Sequence, residues 1–206
     1  MRPSGGPSRG VPYHPAHIVP PQPGPDDRHG PVTGHDDVRV TVKVLQSGSA
    51  SRRARAVVRQ VLGRAGLGDD AVADAEIVVA ELAANAEKHA RPPYELRVFS
   101  LGVVPAWCEI VDGDPDLYEV RVVLGLLCSV EEIGLPLLAE NGRGLLLAHR
   151  LSGGHCHVHP TTALATGDPG KAVAFALPVL SGGRPAFLPL PDLTRLWNRL
   201  GPTDHR

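Results

Sequence analysis

The stretch Ala80-Glu81-Leu82-Ala83-Ala84-Asn85-Ala86-Glu87-Lys88-His89-Ala90 decides how this chain is read. Its helical pattern places a carboxylate, a carboxamide and an imidazole at steps of four residues. At ~100° per residue, Glu81, Asn85 and His89 fall along one narrow stripe. Beside them Ala73, Ile77, Ala80 and Ala84 are expected to form the packed apolar face of the helix. A helix that seats an acid and an amide next to its own buried face holds both still, as a site for a metal-bound phosphate requires.

The elements around this helix follow from local pattern. Val38 to Val44 alternates apolar and polar residues, which predicts a half-buried strand. Ser49 and Ser51 are candidate N-caps for a helix running to about Ala65, ended by Gly66-Leu67-Gly68. Asp69 and Asp70 suit the start of the second helix, where the dipole favours negative charge. That helix stops before Arg91-Pro92-Pro93. Strand-like runs follow at Tyr94 to Leu101 and Ala106 to Asp112. Residues 116–140 read as a mobile segment with some helix. Gly142-Arg143-Gly144-Leu145 then opens an apolar helix through Leu151. His155 to His159 and Lys171 to Leu177 are the expected last strands. A short amphipathic helix closes the chain at Asp192 to Leu200.

Three signals carry chemistry, in order. A carboxylate at Glu81 can take a proton from an attacking hydroxyl. The oxygen of Asn85 is a hard, neutral ligand suited to Mg²⁺. In Asp112-Gly113-Asp114-Pro115, an Asp at a strand end can accept a hydrogen bond from an exocyclic amino group, and Gly113 is expected to let a ring approach the backbone. Gly142 and Gly144, at a helix start, present free N–H groups to phosphate.

The order resembles the ATP-binding domain shared by gyrase, Hsp90, histidine kinases and MutL. Within it, the chain is most similar to the bacterial anti-sigma-factor serine kinases and their small actinobacterial relatives. Their text runs close to E-L-V-T-N-A-x-x-H-A, D-x-x-P and G-R-G-L-x-L. Here it reads Glu81 to Ala90, Asp112 to Pro115 and Gly142 to Leu147, with Gly170-Lys171-Ala172-Val173-Ala174-Phe175 as the closing strand. The likeness spans roughly residues 38–178.

The resemblance implies an α/β two-layer sandwich, the Bergerat-type ATP-binding fold, with a mixed, mainly antiparallel sheet and helices on one face. It also implies roles by position. Glu81 would be the general base and Asn85 the Mg²⁺ ligand. Asp112, with Gly113 and Pro115, would seat the adenine. Gly142, Arg143, Gly144 and Leu145 would meet the phosphates of ATP. His89 has two readings, a phosphate contact or a cation at the helix C-terminus. Residues 116–140 would be the lid. The implied partners are an anti-sigma-factor antagonist and a sigma factor, and a homodimer is expected.

Two departures open a second function class. The family's closing Thr is Ala172, which removes a hydroxyl expected near the adenine. Gly153-Gly154-His155-Cys156-His157-Val158 stands where D-R-W-G-V is usual, so a packing Trp is absent. The two classes are therefore a serine/threonine kinase of the anti-sigma-factor type, and a catalytically weak, nucleotide-gated module that sequesters a partner.

The remaining features set bounds. The chain has 206 residues and a formal net charge of −1, so no global field favours nucleic acid or an anionic membrane. Arg52, Arg53, Arg55, Arg59 and Arg64 read as a solvated helix face. Three widely spaced cysteines, Cys108, Cys128 and Cys156, read as reduced thiols. No apolar run reaches the ~20 residues that span a bilayer, and no secretion signal is evident, so a cytoplasmic location is expected.

Residues 1–36 are too poor in apolar residues to offset their ordering entropy and are expected to be a disordered tail. Residues 37–180 form the expected ATP-binding domain. Residues 181–206 are the expected Pro-rich linker and short helix. Asp114 and Asp116 read as solvated turn residues. Leu117 and Val123 break a calcium-loop pattern that needs Gly and Glu there. His155, His157 and His159 alternate on one side of a strand, a weak zinc signal.

Overall fold

A computed structural model of the chain describes residues 38–129, 143–181 and 184–200. The expected tail, the expected lid beyond residue 129 and Gly142 lie outside them. The elements run β1 (Val38–Leu45), α1 (Ala50–Arg64), α2 (Asp69–His89), β2 (Tyr94–Leu101), β3 (Val104–Asp112), α3 (Tyr118–Ser129), α4 (Arg143–Leu151), β4 (Cys156–Thr162), β5 (Pro169–Ala176), β6 (Pro178–Ser181), β7 (Arg184–Phe187) and α5 (Leu193–Leu200). The main sheet has the order β1-β2-β3-β5-β4, and each of its pairings is antiparallel.

One face of this sheet carries the larger core. Leu96, Val98, Cys108, Ile110, Val158, Val173 and Phe175 meet Val58 and Leu62 of α1, Val78, Val79 and Leu82 of α2, and Leu145 and Ala148 of α4. The buried stripe of α2 is Val72, Ala75, Val78, Val79, Leu82, Ala83 and Ala86. This corrects the expected face. Ala73, Ile77 and Ala84 are exposed, because α2 packs against α1, α4 and the sheet through its larger Val and Leu side chains. Glu81 and Asn85 lie half-buried at the border of that stripe.

Helix starts differ in how they are satisfied. Ser49 is the N-cap residue of α1 but makes no capping bond with its side chain. Instead Glu87 of α2 accepts from the Gly48 and Ala50 N–H groups. Asp69 and Asp70 fill the first turn of α2. The arginines of α1 are exposed, and Arg59 pairs with Glu76 at 2.6 Å.

The second sheet face is also covered. A hairpin, β6–β7, straddles the expected boundary at residue 180 between domain and Pro-rich linker, and leads into α5. Leu193 and Leu196 of α5 and Val179 of β6 pack on Phe99, Trp107, Ala174 and Ala176. The Trp107 indole N–H reaches the carbonyls of Leu188 (3.4 Å) and Pro189 (3.1 Å). Helices therefore flank both faces, with α5 the one on the second among the described residues.

Beneath this cover runs a buried polar chain. Arg97 donates to Glu95 Oε2 (2.8 and 3.2 Å), Glu109 Oε1 (3.1 Å), Thr161 Oγ1 (2.9 Å) and the Thr162 carbonyl (2.6 Å). Glu109 Oε2 meets His159 Nε2 at 2.9 Å. Thr194 of α5 contacts His159 Nδ1 at 2.9 Å. Arg97, Glu95 and Glu109 are fully buried, so each charge needs the others.

Candidate nucleotide-binding site

α2, α4 and the ends of β3 and β5 bring the three sequence signals together. Gly144, the second residue of α4, lies directly against α2. A Cβ there would stand 2.7 Å from Asn85 Nδ2 and 3.2 Å from Glu81 Oε2. Only a residue without a side chain lets the helix start approach the acid–amide pair this closely. Asn85 and Glu81 make no side-chain hydrogen bond among the described residues. The carboxamide oxygen of Asn85, which also lines the adjoining cleft, is the group that would hold a cation. A hard oxygen beside a carboxylate fits Mg²⁺.

Next to the pair lies a cleft of about 160 Å³. Leu82, Ala86, Ile110, Val120, Val123, Leu145 and Val173 give it apolar walls. Its polar groups are Asn85, His89, Asp112, Glu119 and Lys171. Asp112 and Lys171 face each other across the β3–β5 ladder. The Asp112 side chain is 5% exposed and takes the Lys171 ammonium on Oδ1 at 3.0 Å. Burial raises the pKa of Asp112, while the hydrogen bond and charge of Lys171 oppose that rise.

Asp114 corrects its expected role as a solvated turn residue. Its Oδ2 holds Lys171 at 3.0 Å, and this hydrogen bond lowers its pKa. The three aspartates also form a ladder. Asp112 Oδ1 accepts from Asp114 N, Asp114 Oδ1 from Asp116 N, and Asp116 Oδ1 from Tyr118 N at the start of α3. Residues 118–129 of the expected lid are thus a helix anchored to the base of the cleft, and Glu119, Val120 and Val123 line it.

Other expected site residues fall differently. His89 lines the cleft from the exposed last turn of α2. Gly113 is needed for another reason than a ring's approach. The position of its Cβ would lie 2.6 Å from the Pro92 carbonyl, and it exchanges backbone and side-chain bonds with Arg91. Pro115 is exposed and outside the cleft lining. Leu145 meets the cleft as an apolar wall. Arg143 is the first residue of α4.

Ala172 was expected to leave a hydroxyl missing near the ligand. The strand register overturns this. Lys171 and Val173 face the cleft, so Ala172 points to the opposite sheet face with Ala174 and Ala176. The residue the sequence reading passed over is therefore Lys171. Its signal is its cross-strand pairing with Asp112, visible only once β3 and β5 are paired.

The sequence pattern of the histidine kinase-like ATPase domain matches residues 46–162, more than half of the chain. The chain belongs to this family. The matched span of the histidine kinase-like ATPase domain holds Glu81, Asn85, Asp112 and Gly144, whose geometry is given above, and membership carries ATP binding with it. Lys171 and the whole cover of the second sheet face lie beyond that span. A comparison with curated proteins finds no match. Among the described residues, no group of three or more His, Cys, Asp or Glu side chains could hold a metal ion, and no helix is long and apolar enough to cross a membrane. His157 and His159 stack 5.9 Å apart, and His159 is committed to Glu109.

Proposed function

We propose that this ATPase domain is a serine/threonine protein kinase of the anti-sigma-factor type, acting in the cytoplasm on an anti-sigma-factor antagonist and so regulating a sigma factor. The approach of Gly144 to Glu81 and Asn85 carries this reading. It sets a candidate base, a candidate cation ligand and a helix start side by side. Asn85 would hold Mg²⁺, which would neutralise phosphate charge. Glu81 would accept the proton of an attacking serine hydroxyl. The free N–H groups at the start of α4 would bind phosphate oxygens. Asp112 would accept from the amino group of the base.

The test is transfer of labelled γ-phosphate from ATP to candidate antagonist proteins. Glu81→Gln should keep nucleotide affinity and lower transfer by about 10²–10⁴-fold. Asn85→Ala should weaken Mg·ATP binding. Transfer that is indifferent to Glu81→Gln removes the kinase assignment.

A second reading is a nucleotide-gated module that sequesters its partner. The sequence after α4 favours it, since Gly153-Gly154-His155-Cys156-His157-Val158 stands where the family's D-R-W-G-V is usual and a packing Trp is absent. This reading expects Mg·ATP binding with no transfer to any partner.

A further inference from the structure

Lys171 is 7% exposed, yet it carries a charge into an otherwise mostly apolar cleft. An ammonium has three N–H donors. All three are occupied, by Asp112 Oδ1 at 3.0 Å, Asp114 Oδ2 at 3.0 Å and the Asp114 carbonyl at 3.2 Å. Lys171 therefore has no donor left for a ligand. Asp112 Oδ1 also accepts the Asp114 N–H at 3.0 Å. Both partners of Asp112 fall on this one oxygen, and among the described residues Oδ2 has none. The buried carboxylate cannot rotate without breaking both bonds. One oxygen is pinned, and the other is offered.

We propose that Lys171 is a positioning residue for base selection, holding Asp112 as a carboxylate with Oδ2 as a pure acceptor. A base with an exocyclic amino donor then binds, and one with a carbonyl at the same place meets oxygen with oxygen. The inference rests on the cleft being the nucleotide site. Without the ammonium, burial of Asp112 favours the neutral acid. A neutral carboxyl can donate through its O–H. It then accepts the carbonyl base and loses its preference.

The charged and titratable groups around Asp112 are Lys171 from β5 and Asp114 from the turn, with Arg91 acting on Asp114. Tyr94 of β2 feels the Asp112 charge, as it does that of Glu87 from α2. His89 of α2 and Glu119 of α3 share the cleft.

ATP and ITP differ in the base at C6, an amino group against a carbonyl, and at N1, an acceptor against an N–H. Purine riboside triphosphate keeps the N1 acceptor without the amino group, so calorimetry with the Mg²⁺ complexes of all three reads the effect. Wild type should prefer ATP by about tenfold or more from pH 6 to 7.5, below the range in which the ITP base ionises, a step of about 1.4 kcal/mol. Lys171→Met should lose most of that preference at pH 6 and regain it as rising pH ionises the carboxyl. Lys171→Arg should keep it throughout. Repeating the series in His89→Asn removes the imidazole that lines the cleft among the described residues, and Asp112→Asn, which cannot ionise, must abolish the pH dependence if Asp112 carries it. Should Lys171→Met fail to fold, Lys171→Gln keeps a donor, lacks the charge and carries the same expectation. An unchanged ATP preference in the neutral variant, or an equal, pH-independent loss for both nucleotides, overturns this inference alone. Failure of wild type to bind either nucleotide overturns it together with the nucleotide site.

Discussion

Gly144 shows how one missing methyl group sets the geometry of a site. A Cβ would press hardest on Asn85 Nδ2, the movable end of a side chain, and more lightly on Glu81 Oε2 and Cβ at 3.2 and 3.3 Å. The fold can absorb that contact by moving Asn85, but the site cannot. Alanine is also the better helix former, by up to about 1 kcal/mol in a helix interior and by less in the first turn, where Gly144 lies. Gly144→Ala should therefore leave thermal stability equal or slightly higher while Mg·ATP affinity falls by on the order of tenfold, or about 1.4 kcal/mol. Thermal melts beside calorimetry check the split. Glu81, Asn85 and Asp112 were legible in the sequence because each is a particular polar type at a fixed spacing. Lys171 was not. Its partner Asp112 is 59 positions away, and only the strand register shows that the two side chains rise on one face.

At the scale of elements, α1 and α2 are joined by more than apolar contact. Glu87, inside the quoted motif, supplies the acceptor that the Ser49 side chain does not give to the α1 start. Sequence logic put the cap on the local serine, because capping is usually local. Here the acceptor comes from another helix. Glu87→Ala should cost about 1 kcal/mol, lowering the melting temperature by roughly 2–4 °C, as differential scanning calorimetry would show. The strands β2 and β3 were readable because their alternation and turn chemistry are local. The β6–β7 hairpin was not, because Pro178 and Pro185 resemble linker punctuation. Such residues are tolerated in a two-stranded ribbon, where each strand is an edge.

Over the whole molecule, two cores share one sheet, and a polar chain lies under the C-terminal cover. His159 links Glu109 of β3 to Thr194 of α5. Burial works against its charged form, but the hydrogen bond and charge of Glu109 outweigh burial and raise its pKa. A raised folded-state pKa stabilises fully below the unfolded value of about 6.5, and this stabilisation is lost as pH rises through the folded value. Wild type should thus exceed His159→Gln by about 1.5–3 kcal/mol near pH 6, with the gap narrowing above neutrality. Urea titrations at stepped pH measure it.

Residues past the family-matched span complete this layer. Phe99 and Trp107 are kept from water by the segment from Val179 to Leu196. Expressing the matched residues alone, or with β5 added, would leave these two aromatic rings on an open sheet face. Such a shortened protein should come out of solution as it is concentrated, and its smallest well-behaved form must extend through α5.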